Sequence, residues 1–166
     1  MAFTVAAAFE QLCKNLRFSD DNLSKISNRY HSITKRINTD YWETSSDSAH
    51  SLYVGSYGRD TEIFTSDIDM LVQLPYSTYE KFNAYTSNGQ SALLQEVKKV
   101  IEKTYSVTNL KADGQIISVP FSDGINFEVL PAFINKDGNS YTFANSNNGG
   151  SVSYTHLRAH ETVLDL

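Results

Sequence analysis

Apolar residues recur every three or four positions between residues 4 and 37, which is the spacing of one face of a helix. Thr4 and Ser19 precede two such stretches and are residue types that cap helix N-termini, and Asp20 and Asp21 suit the first turn of the second stretch. We therefore predict a first helix after Thr4 and a long helix that runs from Ser19 to about Trp42. The apolar positions are Val5, Ala8, Phe9, Leu12 and Leu16 in the first helix and Leu23, Ile26, Tyr30, Ile33 and Ile37 in the second.

Short apolar runs separated by polar turns follow, and they predict strands over residues 51–54, 67–74, 115–121 and 125–133. Pro75 ends the second of these runs, and Ser122-Asp123-Gly124 between the last two is a hairpin signal. Residues 91–105 have helical spacing. The order helix, helix, strand, turn, strand, helix, hairpin predicts an α/β (α+β) domain with a small mixed sheet flanked by helices.

Composition narrows the class of protein. The 166 residues are enough for one domain, and the net charge of −5 argues against stable nucleic-acid binding, which needs clustered Lys and Arg. Cys13 is the one cysteine, so we expect a buried small side chain in a reducing compartment and no disulfide. No run has the length of a membrane span and no signal peptide opens the chain, so we predict a soluble cytoplasmic protein with no membrane partner.

The last residues do not resemble a protein domain. Val152 to Thr162 corresponds to one reading frame of a transposase adapter used in sequencing libraries. We therefore expect the authentic domain to span residues 1–151 and residues 152–166 to be a non-native tail, in a chain cut short at about Ser151.

Three acidic residues in two apolar strands are the candidate chemistry. Side chains alternate between the two faces of a strand, so Asp67 and Asp69 point the same way, while the apolar residues between and after them face the core. Glu128 lies between Phe127 and Val129, which places its carboxylate on the accessible side of its own strand. If the two strands are neighbours, the three carboxylates converge.

Such a cluster suits a pair of Mg²⁺ ions, because hard oxygen ligands favour Mg²⁺ or Mn²⁺ over zinc and repelling carboxylates need a cation between them. Gly55 allows the backbone to approach phosphate oxygens, and Ser56 offers a hydroxyl and an amide. Arg59 can add a phosphate contact, although a solvated surface arginine is an equal alternative. We thus predict Asp67, Asp69 and Glu128 as catalytic and metal-binding residues. The predicted nucleotide-binding residues are Gly55, Ser56 and Arg59.

These residues resemble the polymerase-β-like nucleotidyltransferases, and more narrowly the bacterial signalling branch related to cyclic GMP-AMP synthase and oligoadenylate synthetase. The motifs that carry the resemblance are Gly55-Ser56-Tyr57-Gly58-Arg59-Asp60-Thr61, Ser66-Asp67-Ile68-Asp69-Met70-Leu71-Val72, Gly89-Gln90-Ser91-Ala92-Leu93-Leu94, Phe127-Glu128-Val129-Leu130-Pro131-Ala132-Phe133 and Asn148-Gly149-Gly150-Ser151. The resemblance covers nearly all of residues 1–151 and implies a mainly antiparallel sheet.

The resemblance also implies an activity. It is the Mg²⁺-dependent condensation of nucleoside triphosphates such as ATP or GTP into a cyclic or linear oligonucleotide second messenger, which activates an antiphage effector. Regulatory protein partners are implied as well. Glu128 stands where many relatives carry Asp, which lengthens the ligand arm by one methylene. The family also has a C-terminal helical lobe that reads the base, so we expect this chain without it to be weakly active or inactive.

Two other functions share the same turn and acids. One is a single-nucleotide transferase that adenylylates a protein, an antibiotic or an RNA end and therefore needs an acceptor. The other is a catalytically silent nucleotide-binding or antitoxin-like module. A synthase differs from both because it makes a small oligonucleotide from triphosphates alone.

Overall fold

The computed structural model describes residues 4–59, 61, 63 and 67–147. The predicted tail of residues 152–166 and the Asn148–Ser151 loop lie outside these residues. Within the described residues the chain forms four α-helices: α1 (Val5–Leu16), α2 (Asp20–Tyr41), α3 (Tyr76–Asn83) and α4 (Gly89–Glu102). Six strands in the same ranges form one sheet: β1 (Ser51–Tyr53), β2 (Ile68–Gln73), β3 (Lys111–Asp113), β4 (Ile116–Pro120), β5 (Asn126–Ile134) and β6 (Tyr141–Phe143).

Both N-terminal helices begin where their caps predict. The Thr4 hydroxyl accepts a hydrogen bond from the Ala7 amide at 3.2 Å, and the Ser19 hydroxyl accepts one from the Asn22 amide at 3.2 Å. These bonds satisfy backbone N–H groups that have no partner within the helix. The two helices therefore start at Val5 and Asp20, as the sequence predicts.

The two helices differ in packing. The apolar stripe of α2 is buried through Ile26, Ile33 and Ile37 and fastens this long helix to the sheet. In contrast, α1 has no buried residue among those described, and Phe9 on its apolar stripe is 65% exposed. Cys13 on the same helix is half-buried rather than buried as expected.

The sheet has the order β1-β2-β5-β4-β3, with β6 paired to the second half of β5. Only β2 and β5 are parallel, and the other pairs are antiparallel. The predicted hairpin joins β4 and β5. The sequence did not predict α3, β3 or β6, because each is short and its apolar spacing is not distinctive.

The main core lies on the helix side of the sheet. Ile68, Met70 and Val72 of β2 are fully buried there, as are Phe127 and Val129 of β5. The opposite face is apolar only at its far end, where a second small cluster is buried. Its members are Leu71, Ala132, Tyr141 and Phe143. The near end of that face carries the predicted acids.

A buried amide fixes the loop that enters β1. The Asn38 side chain on α2 is fully buried, and its Nδ2 donates to the carbonyls of Ser46 at 2.9 Å and Ala49 at 2.7 Å. Its Oδ1 lies 2.7 Å from Nδ1 of His50. Because an amide oxygen only accepts hydrogen bonds, this ring nitrogen is the donor. The long helix thus sets where β1 starts.

We predict that Asn38→Ala lowers the free energy of unfolding by about 2–3 kcal/mol, because it leaves buried donors and acceptors without partners. Chemical denaturation measures this loss. Asn28→Ala, at an exposed position on the same helix, is the control and is expected to change stability by less than about 0.5 kcal/mol. Equal losses in the two variants would contradict this account of the loop.

Candidate active site

The strand register brings the predicted acids together. Asp69 of β2 lies directly opposite Glu128 of β5 in the parallel pair, and Asp67 precedes β2 by one residue on the same face as Asp69. The helix-side neighbours Ile68 and Phe127 are fully buried, which prevents either strand from turning its acids inward. The predicted convergence of the three carboxylates therefore rests on this pairing.

Burial and mutual repulsion raise the pKa of two of the acids. The pKa of Glu128 is raised mainly by burial, then by the negative charges of Asp67 and Asp69 and by a hydrogen bond with Asp69. The pKa of Asp69 is also raised, mainly by burial and then by the charge of Asp67, while Arg59 and the bond with Glu128 act in the opposite direction. The pair therefore favours a shared proton or a nearby cation.

The donor chemistry fits a hard divalent cation, because all three side chains offer carboxylate oxygens. Within the part of the chain that the structure describes, no group of three or more His, Cys, Asp or Glu side chains is already arranged as a metal-ligand cluster. Asp69 lies opposite Glu128 in the ladder, and Asp67 accepts a hydrogen bond from Asn126. A bound cation would offset the repulsion among these carboxylates.

The Gly-Ser turn packs closely against Asp69. Gly55 follows β1 with a φ of +61°, and a Cβ added to it would lie 1.9 Å from Oδ2 of Asp69. The amide of neighbouring Val54 also donates to the Asp69 carbonyl at 3.0 Å. Only glycine can occupy this position without moving the carboxylate.

After this glycine the chain makes one short 3-10 turn over Tyr57–Arg59. The Ser56 carbonyl accepts the amides of Arg59 and Thr61, both at 3.1 Å, which holds the turn closed. Gly58 lies so close to β1 that a Cβ there would be 2.6 Å from the Tyr53 carbonyl oxygen. Residues 60, 62 and 64–66 of the spacer before Asp67 lie outside the described residues.

Aromatic rings support the turn from the helix side. Tyr57 contacts Phe18 edge-to-face at 6.3 Å and Tyr53 at 4.7 Å between ring centroids. Tyr53 in turn stacks on Tyr30 of α2 at 4.0 Å. The predicted phosphate-binding residues Gly55 and Ser56 are thus anchored to the long helix through side-chain packing.

Two polar residues of the site were not predicted. Asn126 Nδ2 donates to Oδ1 of Asp67 at 3.3 Å, and Ser118 Oγ of β4 donates to Oδ1 of Asn126 at 2.9 Å. The alternation of β5 indicates Asn126, because it is two residues before Glu128 and therefore on the same face. Ser118 can be recognised as part of the site only from the register of β4 with β5, which places it opposite Glu128.

Comparison with known proteins identifies a family model that matches nearly the whole chain. The model of the Second Messenger Oligonucleotide or Dinucleotide Synthetase domain, SMODS, matches residues 3–165. A comparison with curated protein sequences finds no significant match. No helix in the described ranges is long and apolar enough to cross a membrane.

Solved structures share the fold at low identity. The Bradyrhizobium diazoefficiens CD-NTase CdnG in complex with GTP is 16% identical with a TM-score of 0.58, covering 89% of this chain and 45% of that chain. The Elizabethkingia meningoseptica CdnE cyclic dinucleotide synthase with GTP and Apcpp is 16% identical with a TM-score of 0.51, covering 82% of this chain and 54% of that one. The CdnC of the E. coli MS115-1 CdnC:HORMA-deltaN complex is 11% identical with a TM-score of 0.53, covering 80% and 44%.

These likenesses confirm the predicted fold, a polymerase-β-like nucleotidyltransferase core with a small, mainly antiparallel sheet and a long N-terminal helix. The chain spans about half the length of these structures.

Gly55→Ala tests the contact between the turn and Asp69. We expect it to cost more than the roughly 1–2 kcal/mol that a positive φ alone costs an alanine, because the new Cβ would displace the Asp69 carboxylate. Gly138→Ala is the matched control, since its φ is +71° and an added Cβ would meet nothing within 4 Å. Equal unfolding free energies for the two variants would show that the turn does not press on Asp69.

The raised pKa values predict a pH-dependent effect of Asp69→Asn in the metal-free chain. An acid whose pKa is raised in the folded state lowers the stability of the fold as pH rises from its unfolded-state pKa through its folded-state pKa. The repulsion among the carboxylates is therefore largest at neutral pH. We expect the variant to melt about 1–3 °C higher than the unsubstituted chain at pH 7 and at the same temperature below about pH 4. A melting temperature that is lower at pH 7 would contradict the repulsion.

Proposed function

Because the chain belongs to the family of Second Messenger Oligonucleotide or Dinucleotide Synthetase domains, we propose that the whole protein is a Mg²⁺-dependent nucleotidyltransferase that condenses nucleoside triphosphates into a cyclic or linear oligonucleotide. The observation that carries the proposal is the pairing of Asp69 with Glu128 beside Asp67, with the Asp69 carboxylate packed directly against the glycine of the Gly-Ser turn. This is an all-oxygen site next to a half-buried glycine backbone, which suits a metal-bound triphosphate.

In the reaction, the hydroxyl of one nucleotide attacks the α-phosphorus of another nucleoside triphosphate, and pyrophosphate leaves. Asp67, Asp69 and Glu128 would hold the metal, with Mn²⁺ as a substitute for Mg²⁺. The bound ions would lower the pKa of the attacking hydroxyl and screen the charge of the pyrophosphate.

The turn is proposed to bind the triphosphate. Gly55 leaves room for the Asp69 carboxylate, and the backbone and hydroxyl of Ser56 would donate to the anion. The positive charge of the Arg59 guanidinium opposes the rise in the pKa of the Asp69 carboxyl, and it is equally suited to a phosphate oxygen.

Partners follow from the same proposal. The substrates are ATP, GTP or other nucleoside triphosphates, and the product acts on a downstream effector in antiphage defence within the cytoplasm. A regulatory protein partner is also proposed, because one structural neighbour was solved as a complex with HORMA-deltaN. Stable nucleic-acid binding is not part of the proposal, in keeping with the net charge of −5.

Asp67→Asn is the test in the whole protein. We expect pyrophosphate release from a mixture of the four nucleoside triphosphates with Mg²⁺ to fall about a hundredfold or more, since an amide is a poor ligand for a hard cation. Asp137→Asn, which removes an acid from the turn after β5, is the control and should keep its activity. Near-normal release from Asp67→Asn would refute the assignment of the site.

Chromatography of the products separates the alternatives. A synthase yields a small oligonucleotide from triphosphates alone, and resistance of that product to phosphatase indicates a closed ring. Pyrophosphate release only after addition of a protein, antibiotic or RNA acceptor would instead identify a single-nucleotide transferase. Mg²⁺-dependent triphosphate binding with no turnover would identify a silent binding module.

A further inference from the structure

We propose that Asn126 is a positioning residue that holds the Asp67 carboxylate in its place beside Asp69, and that Ser118 fixes the orientation of the Asn126 amide. The role rests on the proposed function, because it gives Asp67 a metal to bind. It adds two residues that neither the sequence motifs nor the family match assigns.

Asp67 needs such support more than the other acids do. Asp69 lies inside β2, where its backbone pairs with β5 on one side and accepts from the Val54 amide on the other, and its carboxylate rests against Gly55. Asp67 lies one residue before the strand begins, and its side chain is exposed. An exposed side chain before a strand keeps several rotamers unless a neighbour restricts it, and a metal ligand with free rotamers loses affinity through entropy.

Asn126 is placed to restrict it. Ile68 pairs with Phe127 in the parallel ladder, so the preceding residues Asp67 and Asn126 are next to each other at the start of the two strands. The amide nitrogen donates to one carboxylate oxygen of Asp67, Oδ1, at 3.3 Å. The amide therefore binds Asp67 through one of its two carboxylate oxygens.

Ser118 holds the other end of the amide. Its hydroxyl donates to Oδ1 of Asn126 at 2.9 Å, so the amide oxygen points to β4 and the amide nitrogen points to Asp67. The reversed amide would set its oxygen against a carboxylate oxygen and lose the hydrogen bond to Asp67. Ser118 also lies opposite Glu128 in the antiparallel ladder, so this one residue of β4 is next to both Asn126 and Glu128.

The residue type agrees with the role. A lysine or arginine at position 126 would form an ion pair with Asp67 and compete with a cation for it. An aspartate would add a fourth negative charge to acids that already repel one another. A neutral donor orients the carboxylate without neutralising it, as outer hydrogen bonds do for metal ligands in general.

Mn²⁺ titration of the full 166-residue chain, followed by the electron paramagnetic resonance signal of free Mn²⁺, tests the role without requiring activity. We expect Asn126→Ala to weaken Mn²⁺ binding about tenfold or more, and Ser118→Ala to weaken it in the same direction by less. Asn28→Ala, an exposed asparagine on α2, should leave the affinity unchanged. Thermal melts of all variants show whether the fold is retained.

Asp67→Asn separates the failure of this role from the failure of the proposed function. If Asp67→Asn weakens Mn²⁺ binding while folded Asn126→Ala and Ser118→Ala both bind as the unsubstituted chain does, the positioning role is wrong and the metal site stands. If Asp67→Asn has no effect, or the unsubstituted chain binds no Mn²⁺, the metal site itself is wrong and the positioning role falls with it. Should Asn126→Ala fail to fold, Ser118→Ala decides alone.

Discussion

The parallel pairing of β2 with β5 determines where every acidic group of the site lies. The pairing buries Ile68 and Phe127 on the helix side and so directs Asp69 and Glu128 to the other face, side by side. Two carboxylates in this arrangement repel each other, and their partial burial costs solvation free energy. The burial of the neighbouring apolar residues on the other face offsets that cost. The core on one face therefore stabilises an electrostatically unfavourable arrangement on the other.

The glycine turn packs against Asp69, whose position this pairing sets. Gly55 leaves room for the Asp69 carboxylate, and the aromatic contacts from Tyr57 through Tyr53 to Tyr30 tie the turn to the long helix. The backbone proposed to bind the triphosphate and the acids proposed to hold its counter-ions are thus positioned by one core. Asn126 and Ser118 extend this support to Asp67, the acid that the ladder itself does not hold.

Much of this arrangement could be predicted because it follows local rules. Thr4 and Ser19 mark helix starts, the alternation around Asp67 and Glu128 assigns their faces, and the motifs led to a nucleotidyltransferase of the cyclic oligonucleotide synthase type, of which the family match confirms the family, while the activity stays a proposal. The parallel register of β2 and β5 could be stated only as a condition, because residues 59 positions apart in sequence, Asp69 and Glu128, give no local sign of being partners.

Other features needed the structure for the same reason. The contact of Ser118 with Asn126 crosses two strands, and the absence of burial along α1 within the described residues contradicts what its clean apolar stripe suggests about packing. Helical periodicity predicts that a helix forms and which face is apolar, but not what covers that face. The assignments of Asp67, Asp69 and Glu128 as metal ligands and of Gly55, Ser56 and Arg59 as nucleotide-binding residues stay predictions.

The most direct test of the central claim is a crystal structure of the chain grown with Mn²⁺ and a nucleoside triphosphate that cannot release pyrophosphate, with the metal located by its anomalous scattering. We predict two anomalous peaks about 3.5–4 Å apart, both within coordination distance of the carboxylates of Asp67, Asp69 and Glu128, with the triphosphate against the Gly55-Ser56 backbone. A bound nucleotide whose metal lies elsewhere, away from the three carboxylates, would contradict the account.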